Sequence, residues 1–306
     1  MALKQLALSD RPVFEKAYSS LEMPLADQDF SMLCIWSRLL DLRWTIINGN
    51  VCLFADFQGK TVLWGPVIGG SKLQETVDKC FRILNEINQN NDPALCYLPE
   101  ELFDGYSGLE GYKLIHQSQD YVYDTGDIAM LKGGKYGKKR NMVNYFVSNY
   151  SHSVEFYSEK AHKKGCLELL DLWKKQKKAS AIIGPNIRFQ FLTELKVAKE
   201  TIELANKIGL KGIVVLVDGK IQGMTFGSQI NKETCNVIVE KANRSIKGLS
   251  EFIFSEFVRR CWRRFRFVNA QEDMGVEYLR EAKLSYHPYA IIKSFTLVKN
   301  GSDRKY

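Results

Sequence analysis

The feature that most constrains this chain is an order of elements that occurs twice in its 306 residues. Near the end, Ile213 to Val217 is an apolar run of the kind a buried strand needs, and Asp218-Gly219-Lys220 carries a hairpin signal. Ile221 to Gly227 returns as a second strand, Asn231-Lys232-Glu233 turns again, and Thr234 to Glu240 forms a third. A polar stretch from Asn243 to Gly248 leads into a helix whose Leu249, Ile253, Phe257 and Cys261 form an apolar stripe. Phe265 to Val268 then reads as a short strand, and Asp273 to Lys283 as a helix with acidic residues near its start. Ser294 to Val298 is a last strand. The first third repeats the scheme. Trp44 to Ile47, Asn48-Gly49 and Val51 to Phe54 make a hairpin, and Phe57 to Lys60 turns into Thr61 to Val67. Gly69-Gly70-Ser71 precedes a helix from Lys72 to Ile87, followed by a short strand at Cys96-Tyr97-Leu98 and a helix opened by Pro99.

Three strands, a glycine turn, a helix, a strand and a helix, given twice, predict an internal duplication. The fold class expected is α/β (α+β): two tandem lobes with mixed sheets flanked by helices, over residues 1–130 and 151–306, joined by a basic connector helix at 131–150. This order is similar to that of the Gcn5-related N-acetyltransferase (GNAT) fold, so each lobe is expected to be acyltransferase-like. The first lobe holds no motif that reads as catalytic. Chemistry is therefore expected in the second lobe together with the connector.

Composition narrows the function classes. The seven cysteines are scattered, odd in number and without a C-x-x-C pair, which fits buried reduced thiols rather than a disulfide framework. The four histidines have no metal-ligand spacing, so no metal is expected. No apolar run is long enough to span a bilayer and no secretion signal is visible at the start, so a cytoplasmic location is expected. The net charge of +8 fits a nucleic acid, an anionic membrane surface or a phosphorylated small molecule, and equally a merely soluble surface.

The connector is the most distinctive stretch. Gly133-Gly134 breaks the chain, and a helix follows with Tyr136, Met142, Val143, Phe146 and Val147 as its apolar face. Lys135, Lys138, Lys139 and Arg140 crowd its first turns, where cations oppose the helix dipole unless an anion binds. From Tyr121 to Phe146 the string Y-x-Y-D … L-x-G-x-x-x-x-K-K-R-N-x-x-N-x-F resembles a bacterial family related to the C-terminal domain of phosphatidylglycerol lysyltransferases. Phe267 to Gly275, Leu279 to Pro288, and Glu240-Lys241-Ala242 ahead of Gly248-Leu249 keep the family's order. The resemblance covers roughly residues 120–290. It implies a double acetyltransferase-like fold, akin to the Fem-type peptidoglycan-bridge aminoacyltransferases, and an aminoacyl-tRNA donor. Two departures stand out. Ala270-Gln271 replaces an Arg-Glu pair, and the membrane-embedded flippase half of lipid lysyltransferases is absent from these residues. A soluble or membrane-peripheral acceptor is expected instead of lipid.

Candidate residues follow from that frame. Glu240, at the end of the third strand, and Tyr286, after the last helix, are the expected base and proton donor. Glu240 next to Lys241 reads equally as a surface ion pair, and Tyr286 as a buried tyrosine with its hydroxyl paired. Asn269, Glu272, Asp273, Arg280, Lys283 and Ser285 are expected to contact substrate, although Glu272 and Asp273 read equally as helix caps. Lys138, Lys139, Arg140, Asn141 and Asn144, with Arg244, Lys247 and Gly248, are expected to hold phosphate or RNA. The run from Arg259 to Arg266 mixes cations with aromatics; it suits RNA, and it equally suits a helix C-terminus. The turn Arg244 to Leu249 has one glycine, poorly matched to the R/Q-x-x-G-x-G/A loop that cradles the pyrophosphate of coenzyme A. An acyl-coenzyme A N-acyltransferase is thus the alternative to an aminoacyl-tRNA-dependent enzyme, and an adaptor without catalysis, motivated by Ala270-Gln271, is a third reading. The acceptor is expected to carry an amine or hydroxyl.

Overall fold

A computed structural model describes residues 3–57, 59–89, 92–179 and 185–304. Gln58, inside the expected turn at 57–60, lies outside the described residues. In chain order the elements are β1 (Lys4–Gln5), α1 (Arg11–Tyr18), α2 (Phe30–Trp36), β2 (Asp41–Ile47), β3 (Asn50–Phe57) and β4 (Lys60–Trp64). Then come α3 (Leu73–Ile87), β5 (Ala94–Pro99), α4 (Phe103–Ser107), β6 (Tyr112–Asp124), α5 (Thr125–Met130) and α6 (Gly137–Asn149). Next are β7 (His152–Phe156), α7 (Glu159–Ala179), α8 (Pro185–Leu204), β8 (Lys211–Val217), β9 (Lys220–Gln229) and β10 (Thr234–Ala242). The last are α9 (Leu249–Phe257), β11 (Phe267–Glu272), α10 (Glu277–Leu284) and β12 (Ala290–Lys299).

The chain divides into two compact units, and the division is not contiguous. One unit takes Met1–Val122, Gln271–Glu281 and Ala290–Tyr306; the other takes Tyr123–Ala270 and Ala282–Tyr289. The first therefore stops earlier than 130, the connector α6 belongs inside the second, and the last strand returns to the first. That return has a simple cause: β12 pairs antiparallel with both β5 and β6, so it completes the sheet of the first unit. Its strand order is β1-β2-β3-β4-β5-β12-β6, with β4 and β5 parallel. On one face α3 buries Val77, Cys80, Phe81 and Leu84 against Phe54, Leu63 and Leu95.

In the second unit the strand order is β11-β10-β9-β8-β7, antiparallel except for the β10–β11 pair. Both expected hairpins form. Asn48-Gly49 and Asp218-Gly219 adopt positive φ at both central positions, which matches the twist of the flanking strands. The α9 stripe of Leu249, Ile253 and Phe257 is fully buried. The helix expected from Asp273 starts only at Glu277, because Met274 and Gly275 take positive φ and the Gly275 N–H donates to the Asp273 carboxylate at 2.8 Å. All seven cysteines are buried and unbridged.

Candidate active site

The site is built in the second unit, where two parallel strands stop pairing. β10 and β11 are in register through Thr234–Phe267, Cys235–Val268 and Asn236–Asn269, after which β10 runs on to Ala242. Asn269 and Asn236 are fully buried at that point. Strict alternation would place Glu240 with Asn236 and Ile238. A bulge changes this: Gly227 pairs with Val237 but Phe226 with Val239, so one extra residue enters β10. Glu240 thereby joins the face of Val237 and Ala242. Gly227 is required there, since a Cβ would lie 2.1 Å from the Asn236 carbonyl oxygen. That face is covered by α9, because Gly223, opposite Ala242, lies against Ile253 and Leu249.

Glu240 accordingly points at α9 and not at its neighbour in sequence. Lys241 goes to the other face, where its Nζ donates to Glu194 Oε1 at 2.6 Å and lies 4.5 Å from the Trp173 ring centre. The surface ion pair between Glu240 and Lys241 does not form. Among the described residues no hydrogen bond reaches the Glu240 carboxylate. Burial first, then repulsion from Glu251 on α9, pushes its pKa up to about 8, with Lys241 and Lys283 pulling the other way. Directly across the ladder is Thr225, fully buried, whose hydroxyl has no hydrogen-bond partner. A proton-holding carboxyl and an unsatisfied hydroxyl thus share one face, an arrangement that costs stability and marks polar ligand sites.

Tyr286 stands beside this pair. Its ring packs edge-on against Phe254 at 5.2 Å and Tyr123 at 6.1 Å, and Lys139 Nζ lies 4.0 Å from its centre. Burial, then Glu251 and Glu240, raise its hydroxyl well above the usual tyrosine range, so it remains a proton donor. Its backbone is pinned: the Tyr136 hydroxyl is 3.2 Å from the Tyr286 carbonyl, and the Tyr123 hydroxyl donates to the Lys283 carbonyl at 3.0 Å. Lys283 Nζ donates to the Ala270 carbonyl at 2.5 Å, and the Ser285 hydroxyl is spent on the Ala282 carbonyl at 2.6 Å. Lys139 turns inward to Glu251 at 3.6 Å, and burial lowers its pKa against the pull of that carboxylate.

The remaining expected residues fall into three groups. Arg140 is structural: it donates to the Leu131 and Gly133 carbonyls at 2.5 and 2.8 Å and closes the turn after α5. Lys138, Asn141 and Asn144 lie exposed on the outer side of α6, and Val147, expected on its apolar face, is 48% exposed there. Glu272, Asp273 and Arg280 belong to the first unit. There Asp273 accepts from the Tyr121 hydroxyl at 2.5 Å and from Arg280 Nε at 3.0 Å; burial alone would raise its pKa, but these bonds hold it below the usual value. Glu272 adds, with Asp120, to the repulsion that keeps the Asp27 carboxyl well above its ordinary range, although burial is the larger cause. In the basic run, Arg259 and Arg260 both pair with Glu256.

The turn before α9 is filled by the chain itself. Gly248, at φ +83°, lets α6 approach so closely that a Cβ would lie 2.1 Å from the Met142 carbonyl oxygen. The Arg244 N–H donates to Gln176 at 3.1 Å, the Ser245 N–H to Asn243 Oδ1 at 3.0 Å, and the Ile246 N–H to the Asn243 carbonyl at 3.1 Å. In the first unit the corresponding Gly70 N–H is taken by Asn50 at 2.9 Å, and a Cβ there would lie 2.3 Å from the Asn48 carbonyl oxygen. Glu251, Thr225 and Tyr123 carried no sequence signal as site residues. Glu251 falls off the α9 stripe, and only the bulge aligns Thr225 with Glu240.

Known proteins of similar structure agree with this architecture. A conserved protein of unknown function from Bacteroides thetaiotaomicron is 26% identical and superposes with a TM-score of 0.87, over 98% of this chain and 100% of that one. L-PGS from Bacillus licheniformis gives a TM-score of 0.62 at 13% identity, over 92% and 95% of the two chains. A tandem GNAT protein from the clavulanic acid biosynthesis pathway gives 0.55 at 10% identity, over 99% of each. The fold is therefore a tandem GNAT-like one. No described helix is long and apolar enough to cross a membrane. A family model described as phosphatidylglycerol lysyltransferase, C-terminal, matches residues 19–298, and the chain belongs to that family.

Proposed function

We propose that this protein is a cytoplasmic aminoacyltransferase that takes an aminoacyl group from aminoacyl-tRNA and passes it to an amine or hydroxyl of a soluble or membrane-peripheral acceptor. The observation that carries this reading is the contrast between two places in the second unit. Glu240, Thr225 and Tyr286 form a protonatable polar site, whereas the turn before α9, where an acyl-coenzyme A would set its pyrophosphate, is closed by Met142, Gln176 and Asn243. A tRNA ester needs no such cradle.

In this mechanism the acceptor nitrogen or oxygen attacks the ester carbonyl, and Glu240 as carboxylate takes the proton the acceptor loses. A base with a pKa near working pH is well matched to that transfer. As the tetrahedral intermediate collapses, the bond to the ribose oxygen breaks and that oxygen takes a proton from Tyr286, which regains it from Glu240. Lys139 and Lys283 keep the local charge near neutral while the carbonyl oxygen is negative.

The test is transfer of a labelled amino acid. Purified protein, charged tRNA and a panel of amine and hydroxyl acceptors should move label off the tRNA, with loss of that transfer in Glu240→Gln. Transfer from acetyl-coenzyme A, or thermal stabilisation by it, with none from charged tRNA would overturn the proposal.

A further inference from the structure

The outer side of α6 has a character that the catalytic reading leaves unused. Between Asp127 and Glu155 the chain has no carboxylate but five cations: Lys132, Lys135, Lys138, Lys139 and Arg140. The turn that abuts α6 at Gly248 likewise has Arg244 and Lys247 and no acid between Glu240 and Glu251. Lys135, Lys139 and Arg140 are engaged with protein groups. Lys138 and Lys247 are exposed and have no ion pair among the described residues. Tyr145 is 40% exposed, and Lys247 Nζ lies 4.6 Å from its ring centre. Lys138, Asn141 and Tyr145 recur at helical spacing and so line one outer face.

We propose that this face of α6, with Lys247 and Arg244 at its edge, docks single-stranded RNA. The inference rests on the aminoacyl-tRNA reading and names the surface that would hold the unpaired end of that donor. The chemistry fits each part of a strand: Lys138, Lys247 and Arg244 for phosphates, Tyr145 for stacking on a base, and the Asn141 and Asn144 amides for base edges. Cations in the first turn of a helix oppose its dipole, and a phosphate there relieves both. From Lys138 to Tyr145 the helix rises about 10 Å, roughly three nucleotides at the stacked spacing. Lys139, the next residue, points about 100° away around the helix and brings its ammonium to Tyr286 and Glu251, so the candidate site adjoins the first turns of the same helix.

The probe is a short single-stranded RNA, compared with the same strand annealed to its complement and with vesicles of phosphatidylglycerol and phosphatidylcholine. The wild-type protein should prefer the single strand, with affinity falling steeply with salt. Tyr145→Ala should weaken binding about tenfold with the melting temperature unchanged. Lys247→Ala should lower the slope of log affinity against log salt by about 0.7. Lys60→Ala, on an exposed hairpin of the first unit, should leave binding as it is. Binding unaltered in both α6-face variants overturns the surface; vesicle binding that falls in them while RNA binding persists makes it a membrane face instead. Loss of RNA binding in the variants, with no aminoacyl transfer by the wild type, keeps the surface and rejects the donor. Transfer by the wild type that Tyr145→Ala leaves intact does the reverse.

Discussion

Replacing Glu240 by Gln tests the electrostatics of the site without requiring a substrate. The folded chain pushes this carboxyl from an ordinary value of 4.5 up to about 8. Between those values the folded protein holds a proton that the unfolded chain has released, so stability falls as pH rises through the window. Each tenfold change in proton affinity is worth about 1.4 kcal/mol, which sets an upper bound of about 5 kcal/mol above pH 8. Glu240 is partly exposed and its surroundings respond as a medium of effective dielectric near 20, so about 2 kcal/mol is the realistic share. For a chain of this size that corresponds to about 3 °C in melting temperature. The glutamine keeps the shape of the protonated acid. Thermal melts of both proteins from pH 5 to pH 9 should coincide at the acid end and separate on the alkaline side, with the variant the more stable. Curves that run parallel across the whole range would refute the reasoning, since Glu240 would then be titrating as an ordinary solvated carboxyl.

Two further substitutions probe the frame around the site. Gly248→Ala should cost about 2–4 kcal/mol, because the alanine must adopt left-handed backbone and its Cβ collides with the Met142 carbonyl. Gly219→Ala, at φ +73° in a hairpin turn with open space around it, should cost only about 1 kcal/mol; equal losses in chemical denaturation would remove the case for a tight α6–α9 contact. Asp273→Asn should lose about 1–3 kcal/mol, since the carboxylate accepts from Tyr121, Arg280 and the Gly275 N–H. The Asp273 carboxyl is held below 3.8, so its contribution is present above that pH and lost as the pH falls through the lower folded value. The variant should lack this acid limb, and a variant of unchanged stability but altered transfer kinetics would return Asp273 to a substrate-contacting role.

Much of the architecture was legible in the linear chain, for local reasons. Asn48-Gly49 and Asp218-Gly219 can turn only one way between apolar runs, and Leu249, Ile253 and Phe257 mark a buried helical stripe whatever lies against it. The place of Glu240 at the end of the third strand and the cations of the connector are likewise plain in the linear chain. Side-chain partnership was not legible. Arg140 and Lys139 are adjacent cations, yet one closes a turn and the other enters the site, because successive residues on a helix point about 100° apart and only packing says which direction is inward.

The sequence by itself determined the two hairpins, the buried stripe of α9 and the family, since turn chemistry, periodicity and motif spacing are local or ordered along the chain. Tertiary structure alone decided which strand completes which unit, where the bulge falls in β10, and that Thr225 and Glu251 stand at Glu240. The reason is physical. A one-residue insertion reverses which face a strand presents, and a pKa near 8 needs burial and a second carboxylate brought from another element.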